Sequence, residues 1–431
     1  MKVEYLKSQA LNYWNNPRIK QVLTLFSVNI ISIPIGIVTS VVLSRYLGPN
    51  GFGDYQFLDS LFNFSVIIFT FGFFYAANRA LVLNNDKDKA REYFGATLII
   101  LGGLFLIMST VLIFYALFDT NLKQKNLDRI VLYSLPLGWI YLALNYFETL
   151  FQADNRINLL ATARILPKLG FLVSASCIYW FLMNSSYSKL PIAWGAYIII
   201  QALAYIYVVY KINISFKNLR LILKELWGYN KSYGFHVYIG SAFSVGVAQL
   251  TGVIISYFGN NNSGVGYYAL ALALATPLQF IPNTIATTNY KRFSTEKSIP
   301  KKLTQVTLLL TVVALIALWL IVPVFITYFY SDKFRPVIYL NMIVSIGLAC
   351  YGIADYYNRF LGSHGHGKLL RNTSFIVGSL ILSFNFILIP LYGARGAALT
   401  RLIGGAAYLL CMLYYYKKTT KKDNAQTESI H

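Results

Sequence analysis

Leu47-Gly48-Pro49-Asn50-Gly51-Phe52-Gly53-Asp54-Tyr55 follows the first long apolar stretch of the chain, and Phe258-Gly259-Asn260-Asn261-Asn262-Ser263-Gly264-Val265-Gly266-Tyr267-Tyr268 follows the seventh. Both are Gly/Asn turns that close on glycine and tyrosine. The correspondence continues further along. Asn145-Tyr146-Phe147-Glu148, ahead of Asn158-Leu159-Leu160, lines up without a gap with Asp355-Tyr356-Tyr357-Asn358, ahead of Lys368-Leu369-Leu370. Elements matching at a fixed offset mark two copies of one unit, with a pathway expected between the halves.

Composition sets the solvent. With 56% hydrophobic and 12% charged residues and a mean hydropathy of +0.53, the chain has too little polar surface for a soluble globule of this length. Its apolar stretches are long enough to cross roughly 30 Å of hydrocarbon as helices, which satisfy every backbone group internally. They lie at 20–43, 54–77, 93–118, 129–150, 158–183, 190–210, 235–258, 265–287, 303–330, 336–361, 369–391 and 394–416. The expected fold class is an all-α integral membrane protein of about twelve transmembrane helices in two six-helix pseudo-repeated lobes. The expected organisation is an N-terminal lobe over 1–212, a cytoplasmic basic amphipathic linker over 213–234, a C-terminal lobe over 235–416 and a basic tail over 417–431.

A net charge of +21 would suggest nucleic acid in a soluble protein. Here the basic residues alternate from loop to loop, and with the N-terminus inside most of them fall on one side. That set includes Lys2, Lys7, Arg79, Lys87, Lys89, Arg91, Lys217, Lys224, Lys231, Lys301, Lys302, Lys417 and Lys418. This positive-inside bias places both termini in the cytoplasm, and contact with anionic lipid accounts for the charge without any nucleic acid. The first span follows a basic lead with no small-residue cleavage site, so it reads as a retained anchor.

Several motifs are decoys. Gly362-Ser363-His364-Gly365-His366-Gly367-Lys368 fits the Walker A spacing up to its last position, where Leu369 replaces the magnesium-binding hydroxyl, and it follows a membrane helix where a strand is required. His364 and His366 have no third ligand nearby, so no metal is expected. Cys177, Cys350 and Cys411 lie in apolar spans without paired spacing and read as core filler. No loop is long enough for a nucleotide-binding domain or for the extramembrane site of a polymerase or ligase. No catalytic constellation is found, and the expectation is a protein that is not an enzyme and needs no cofactor.

The chemistry rests on ionisable groups at membrane depth, each of which costs roughly 2.5–3.5 kcal/mol on insertion scales. Glu148 and Asp355 stand at nearly corresponding places in the repeat, and they are the candidates for ion coupling. Arg359 stands one turn after Asp355, which predicts an intrahelical ion pair or, alternatively, a contact to a substrate phosphate. Arg164 and Lys168 share a face at i, i+4; an anion would relieve them, and snorkelling to headgroups is the plain alternative. Arg401 is a further cavity cation, while Arg45, Arg79 and His236 are weaker candidates. In the first span, Asn29, Ser32, Pro34 and Gly36 predict a kink, with Pro34 and Gly36 as the hinge.

The turn Arg45–Tyr55, the stretch Phe151-Gln152-Ala153-Asp154-Asn155-Arg156, and Asn385-Phe386-Ile387-Leu388-Ile389-Pro390-Leu391-Tyr392-Gly393-Ala394-Arg395-Gly396-Ala397-Ala398 resemble the polysaccharide-unit (Wzx-type) flippases of the multidrug/oligosaccharidyl-lipid/polysaccharide exporter superfamily. The resemblance runs along nearly the whole chain. It implies a cationic central cavity that opens alternately to either side of the bacterial inner membrane. It also implies an undecaprenyl-diphosphate-linked glycan as substrate, for O-antigen or capsule synthesis, and polysaccharide polymerase machinery as a partner. Relatives that flip the peptidoglycan precursor usually carry two further C-terminal helices, and drug antiporters often have an acid in the first span, which this chain lacks. A cation-coupled small-molecule exporter and a membrane enzyme of lipid-linked glycan assembly are the two rival readings.

The charge pattern predicts sidedness. In a cysteine-free background, Asn50→Cys should react with an impermeant maleimide from outside intact cells and Lys87→Cys only after permeabilisation. The reverse labelling would invert the topology.

Overall fold

The computed structural model describes residues 17–84, 86–184 and 188–428, and every regular element among them is helical. The basic N-terminal lead, with Lys2 and Lys7, lies outside the described residues. In chain order the helices of the first half are α1 (Pro17–Phe69), α2 (Phe73–Leu83), α3 (Lys87–Phe118), α4 (Thr120–Gln124), α5 (Asp128–Ser134), α6 (Trp139–Ala153), α7 (Ile157–Leu182), α8 (Lys189–Tyr210) and α9 (Leu219–Tyr229). Those of the second half are α10 (Phe235–Phe258), α11 (Ser263–Ala275), α12 (Pro277–Thr288), α13 (Tyr290–Phe293), α14 (Lys301–Phe329), α15 (Pro336–Ser363), α16 (Gly367–Tyr392) and α17 (Ala394–Glu428).

Among the described residues nine helices are long and apolar enough to cross a membrane, and eleven spans result when each bent pair counts as one. The twelfth is hidden in α1. Its 53 residues would reach about 80 Å as one rod, far more than the hydrocarbon needs. Gly48 interrupts it at φ 68°, ψ 178°, a conformation open essentially to glycine alone. Pro49 then starts the next helix, where its missing N–H is no loss. The expected 20–43 and 54–77 spans are therefore both present, but the second is broken again at Phe71 (φ 45°) and Gly72 (φ 83°) before α2. The fourth span is bent by 47° between α5 and α6, around the single-turn segment Leu135–Leu137 that contains Pro136.

The kink expected at Pro34 and Gly36 is not a break in helical dihedrals. Gly48 is the one residue of α1 with non-helical dihedrals, so helical dihedrals run through Pro34 and Gly36. Cys177 is exposed, so it is not core filler; Cys350 and Cys411 are half-buried.

The duplication is visible bond for bond where α6 and α15 end. Arg156 N–H donates to Phe151 O (2.8 Å) and Asn155 N–H to Gln152 O (3.4 Å); His366 N–H donates to Leu361 O (3.1 Å) and Gly365 N–H to Gly362 O (3.1 Å). Asn155 (φ 55°) and Gly365 (φ 77°) occupy the same left-handed position. This is the Schellman closure of a helix, and each pair stands at the offset that aligns Asn145 with Asp355. The near-Walker stretch is thus a helix-terminating turn.

The chain forms two compact units: the described part of Met1–Tyr46 with Ser65–Ile239, and Leu47–Phe64 with Gly240–His431. The 213–234 segment packs within the first unit. In it, α9 buries Ile222 and Leu226, and Glu225 receives Lys89 Nζ (3.2 Å) and the Tyr93 hydroxyl (2.6 Å). The 417–431 segment continues α17 as far as Glu428. In the second unit α15 is the central element, packed against α11, α12, α14 and α17. Its crossing with α17 is close because a side chain at Gly405 would overlap the Gly347 carbonyl, and one at Gly347 would stand 2.8 Å from the Arg401 carbonyl. Small residues at such a crossing let the backbones meet.

Two substitutions test this packing. Gly405→Ala should lower the apparent Tm of the purified protein by the equivalent of about 1–3 kcal/mol through overpacking. At Gly36 an added methyl meets nothing within 4 Å, so Gly36→Ala should be neutral or stabilising by up to about 1 kcal/mol.

Candidate functional site

Each unit holds a polar cluster set in apolar helices. In the first, α6 is tied down on both sides of Glu148. The buried Tyr146 hydroxyl donates to Phe94 O on α3 (3.0 Å), and Asn78 Nδ2 on α2 donates to Thr149 O (2.7 Å). The turn at Asn155 folds α7 back along α6, which brings Arg164 to Glu148. Arg164 Nε donates to Glu148 Oε1 at 3.0 Å and Nη1 to Asn29 Oδ1 of α1 at 3.2 Å. The two ionic side chains are 23% and 40% exposed, so the pair is half-buried. The stripe of uncompensated charge expected at Arg164 and Lys168 is corrected at Arg164, which has a carboxylate partner. Lys168 is exposed and has no ion-pair partner among the described residues.

The second cluster lies on α15, α12 and α17. Asp355 and Arg359 do not form the predicted intrahelical ion pair. The Tyr408 hydroxyl donates to Asp355 Oδ1 (2.9 Å) and accepts from Asn358 Nδ2 (2.7 Å), while Arg359 Nε donates to Asn283 Oδ1 on α12 (3.1 Å). Both helical neighbours thus turn to other helices. The Arg401 guanidinium carbon stands 4.4 Å from the centroid of the Tyr351 ring, a cation–π contact, and the Tyr351 and Tyr408 rings are 5.4 Å apart. Arg401 Nε is buried with no hydrogen-bond partner among the described residues. A cavity of about 340 Å³ is lined by Tyr290, Asp355, Asn358, Arg359 and Gly362. These groups therefore have space for solvent or a polar ligand.

The chemistry on offer is recognition. A guanidinium held by a neutral asparagine keeps N–H groups for an anion, which accepts charge-assisted bonds. Arg359 and Arg401 both belong to this cluster, Arg164 and Glu148 to the other. Arg45, Arg79 and His236 are exposed; Arg79 stands over the Tyr233 ring at 5.7 Å, and no hydrogen bond or ion pair joins Arg79 or His236 to either cluster among the described residues. Tyr408, Tyr351 and Asn283 escaped the sequence reading. With 34 tyrosines in the chain, one more on an apolar helix carries no signal.

The fold is a multi-pass helical one, and solved structures share it. The lipid II flippase MurJ in an inward closed conformation superposes with a TM-score of 0.71 at 14% identity, over 93% of this chain and 89% of that one. An inward-facing MATE-family multidrug transporter of the MOP superfamily gives 0.66 at 14% identity, over 90% and 96%. In sequence, a protein of Escherichia coli (strain K12) described as "Putative O-antigen transporter" is 25% identical over 390 residues, 85% of this chain and 88% of its own length. Residues 19–295, more than half of the chain, match the family model described as polysaccharide biosynthesis protein. The chain belongs to the polysaccharide biosynthesis protein family, as the resemblance of its motifs implied.

The Glu148–Arg164 pair can be measured directly. A double-mutant cycle of Glu148→Gln and Arg164→Ala on thermal stability should give a coupling of about 0.5–1 kcal/mol, the range of a half-exposed pair. A coupling of zero would mean that the contact is not held in solution.

Proposed function

We propose that this protein is a flippase that carries undecaprenyl-diphosphate-linked oligosaccharide repeat units from the cytoplasmic to the outer leaflet of the bacterial inner membrane, for O-antigen or capsule synthesis. The observation that carries this reading is the family match over 19–295 on a chain whose polar clusters hold arginines in spans otherwise built for lipid. The O-antigen transporter name of the relative supports the substrate class. A diphosphate and its sugars cannot enter hydrocarbon unpaired, so they need polar partners while the prenyl tail stays in lipid.

In this mechanism the substrate site opens alternately to either side of the membrane. Arg359, Arg164, Lys168 and Arg401 contact the diphosphate, and Pro34 and Gly36 supply flexibility to the first span. Asp355 and Glu148 are the candidates for exchanging a coupling ion. Arg45, Arg79 and His236 are secondary contacts. Both termini face the cytoplasm, in keeping with the distribution of Lys and Arg, and the polysaccharide polymerase machinery takes up the product. A cation-coupled small-molecule exporter is the second reading, favoured by the fold shared with the MATE-family transporter; it predicts drug-resistance phenotypes and no movement of lipid-linked sugar.

The test is reconstitution into sealed liposomes that carry a lipid-diphosphate oligosaccharide, scoring inner-leaflet sugar that becomes reachable by an impermeant probe. Wild type should exceed empty liposomes. Arg359→Ala and Arg401→Ala should each slow exposure by roughly ten-fold or more, the loss of a charge-assisted contact worth about 1.5–3 kcal/mol. Exposure unchanged in both variants would remove them from the substrate path. No exposure with any glycan tried, under proton or sodium gradients, would favour the exporter. Should Asp355→Asn transport at the wild-type rate across a range of gradients, Asp355 carries no coupling ion.

A further inference from the structure

Asp355 and Arg359 stand one turn apart on α15, the spacing at which opposite charges on a helix meet. In this protein they do not meet, because residues on two other helices take them. The Tyr408 hydroxyl on α17 donates to Asp355 Oδ1 at 2.9 Å while accepting from Asn358 Nδ2 at 2.7 Å. Asn283 on α12 takes the guanidinium, whose Nε donates to Asn283 Oδ1 at 3.1 Å. The amide must present its oxygen there, because a guanidinium has only donors. Asn283 is placed by the close crossing of α12 and α15, where a side chain at Gly352 would stand 3.1 Å from Gln279 Cα and 3.2 Å from Pro282 Cγ.

The kind of acceptor decides what becomes of the charge. A carboxylate neutralises an arginine, as Glu148 does for Arg164 in the other unit. An amide oxygen accepts one N–H and leaves the positive charge standing. The two terminal nitrogens of Arg359 make no hydrogen bond to a described residue, and Arg359 lines the cavity of about 340 Å³ together with Tyr290, Asp355, Asn358 and Gly362. A half-buried guanidinium with free N–H groups beside such a space fits an oxyanion such as phosphate. Asp355 is the competing partner within reach along the helix. Without Asn283 the arginine would fall back on it, and its charge would be cancelled.

We propose that Asn283 is a positioning residue, which keeps Arg359 turned away from Asp355 so that the guanidinium is held for the phosphate groups of the substrate; the identity of that substrate rests on the flippase reading above. Neutrality is then the property that matters at position 283. An aspartate there would keep the shape and hold Arg359 more firmly, yet it would close the site to an anion.

The experiment measures binding of inorganic pyrophosphate, the charged head of the substrate without sugar or lipid, to the full-length protein by calorimetry, beside flipping in liposomes. Asn283→Asp should weaken pyrophosphate binding by about ten-fold or more, the loss of one charge-assisted contact, with a Tm no lower than that of the wild type. Asn283→Ala should also weaken it by about ten-fold. The deciding arm makes Asn283→Ala in an Asp355→Asn background, where Arg359 has no carboxylate to fall back on. There the substitution should cost less than about two-fold, a non-additivity that reports the competition between Asn283 and Asp355 for the arginine. An equal loss in both backgrounds would make Asn283 a packing residue only and overturn the assignment. Pyrophosphate binding that Asn283→Asp leaves unchanged, or that the wild type does not show, would overturn it as well. The expected cycle without flipping of any lipid-linked sugar would retain Asn283 and sink the flippase reading. Flipping by the wild type that is undiminished in Asn283→Asp would retain the flippase and sink Asn283.

Discussion

Hydrocarbon offers no hydrogen bonds, and the rest of this structure follows from that constraint. It makes each span helical, and the chain reverses in turns between the spans. Where α1 must break, the residue is Gly48, in a backbone region that side chains do not tolerate. Where α6 and α15 must stop, both close their last carbonyls with the same pair of back-bonds around Asn155 and Gly365. The two lobes keep this turn because it solves the same problem twice, and the residue that solves it differs because asparagine and glycine are the two that visit the left-handed region most readily.

The same constraint sorts the polar side chains. Asp355 is accommodated by Tyr408, which also receives Asn358, and Arg359 by Asn283. These are contacts between helices, so they also fix how α15 sits against α12 and α17. Arg401 is treated differently. It lies over the Tyr351 ring, and its Nε has no hydrogen-bond partner among the described residues.

Duplication preserved the backbone and let the chemistry diverge. The offset that superposes the Schellman turns aligns Glu148 with Asn358, yet Glu148 holds an arginine from α7 while Asn358 donates to a tyrosine from α17. Each lobe therefore carries its own polar cluster, built from different helices of a common plan.

Membrane residence, the duplicated plan, the positions of the spans and the family resemblance were all legible in the residues, because periodicity, hydropathy and repeat offsets are properties of the chain itself. The helix that hides two spans was legible too, once the Gly48 turn was read as a break. The partners of the buried charges were not. Spacing paired Asp355 with Arg359, four residues apart, whereas the structure pairs Arg164 with Glu148 across 16 residues, Asp355 with Tyr408 across 53 and Arg359 with Asn283 across 76. Which donors meet is decided by the crossing of helices, as at Gly347 and Gly405. Sequence spacing records neighbours on one helix, and only the tertiary structure decides which polar group an ion prefers when water is absent.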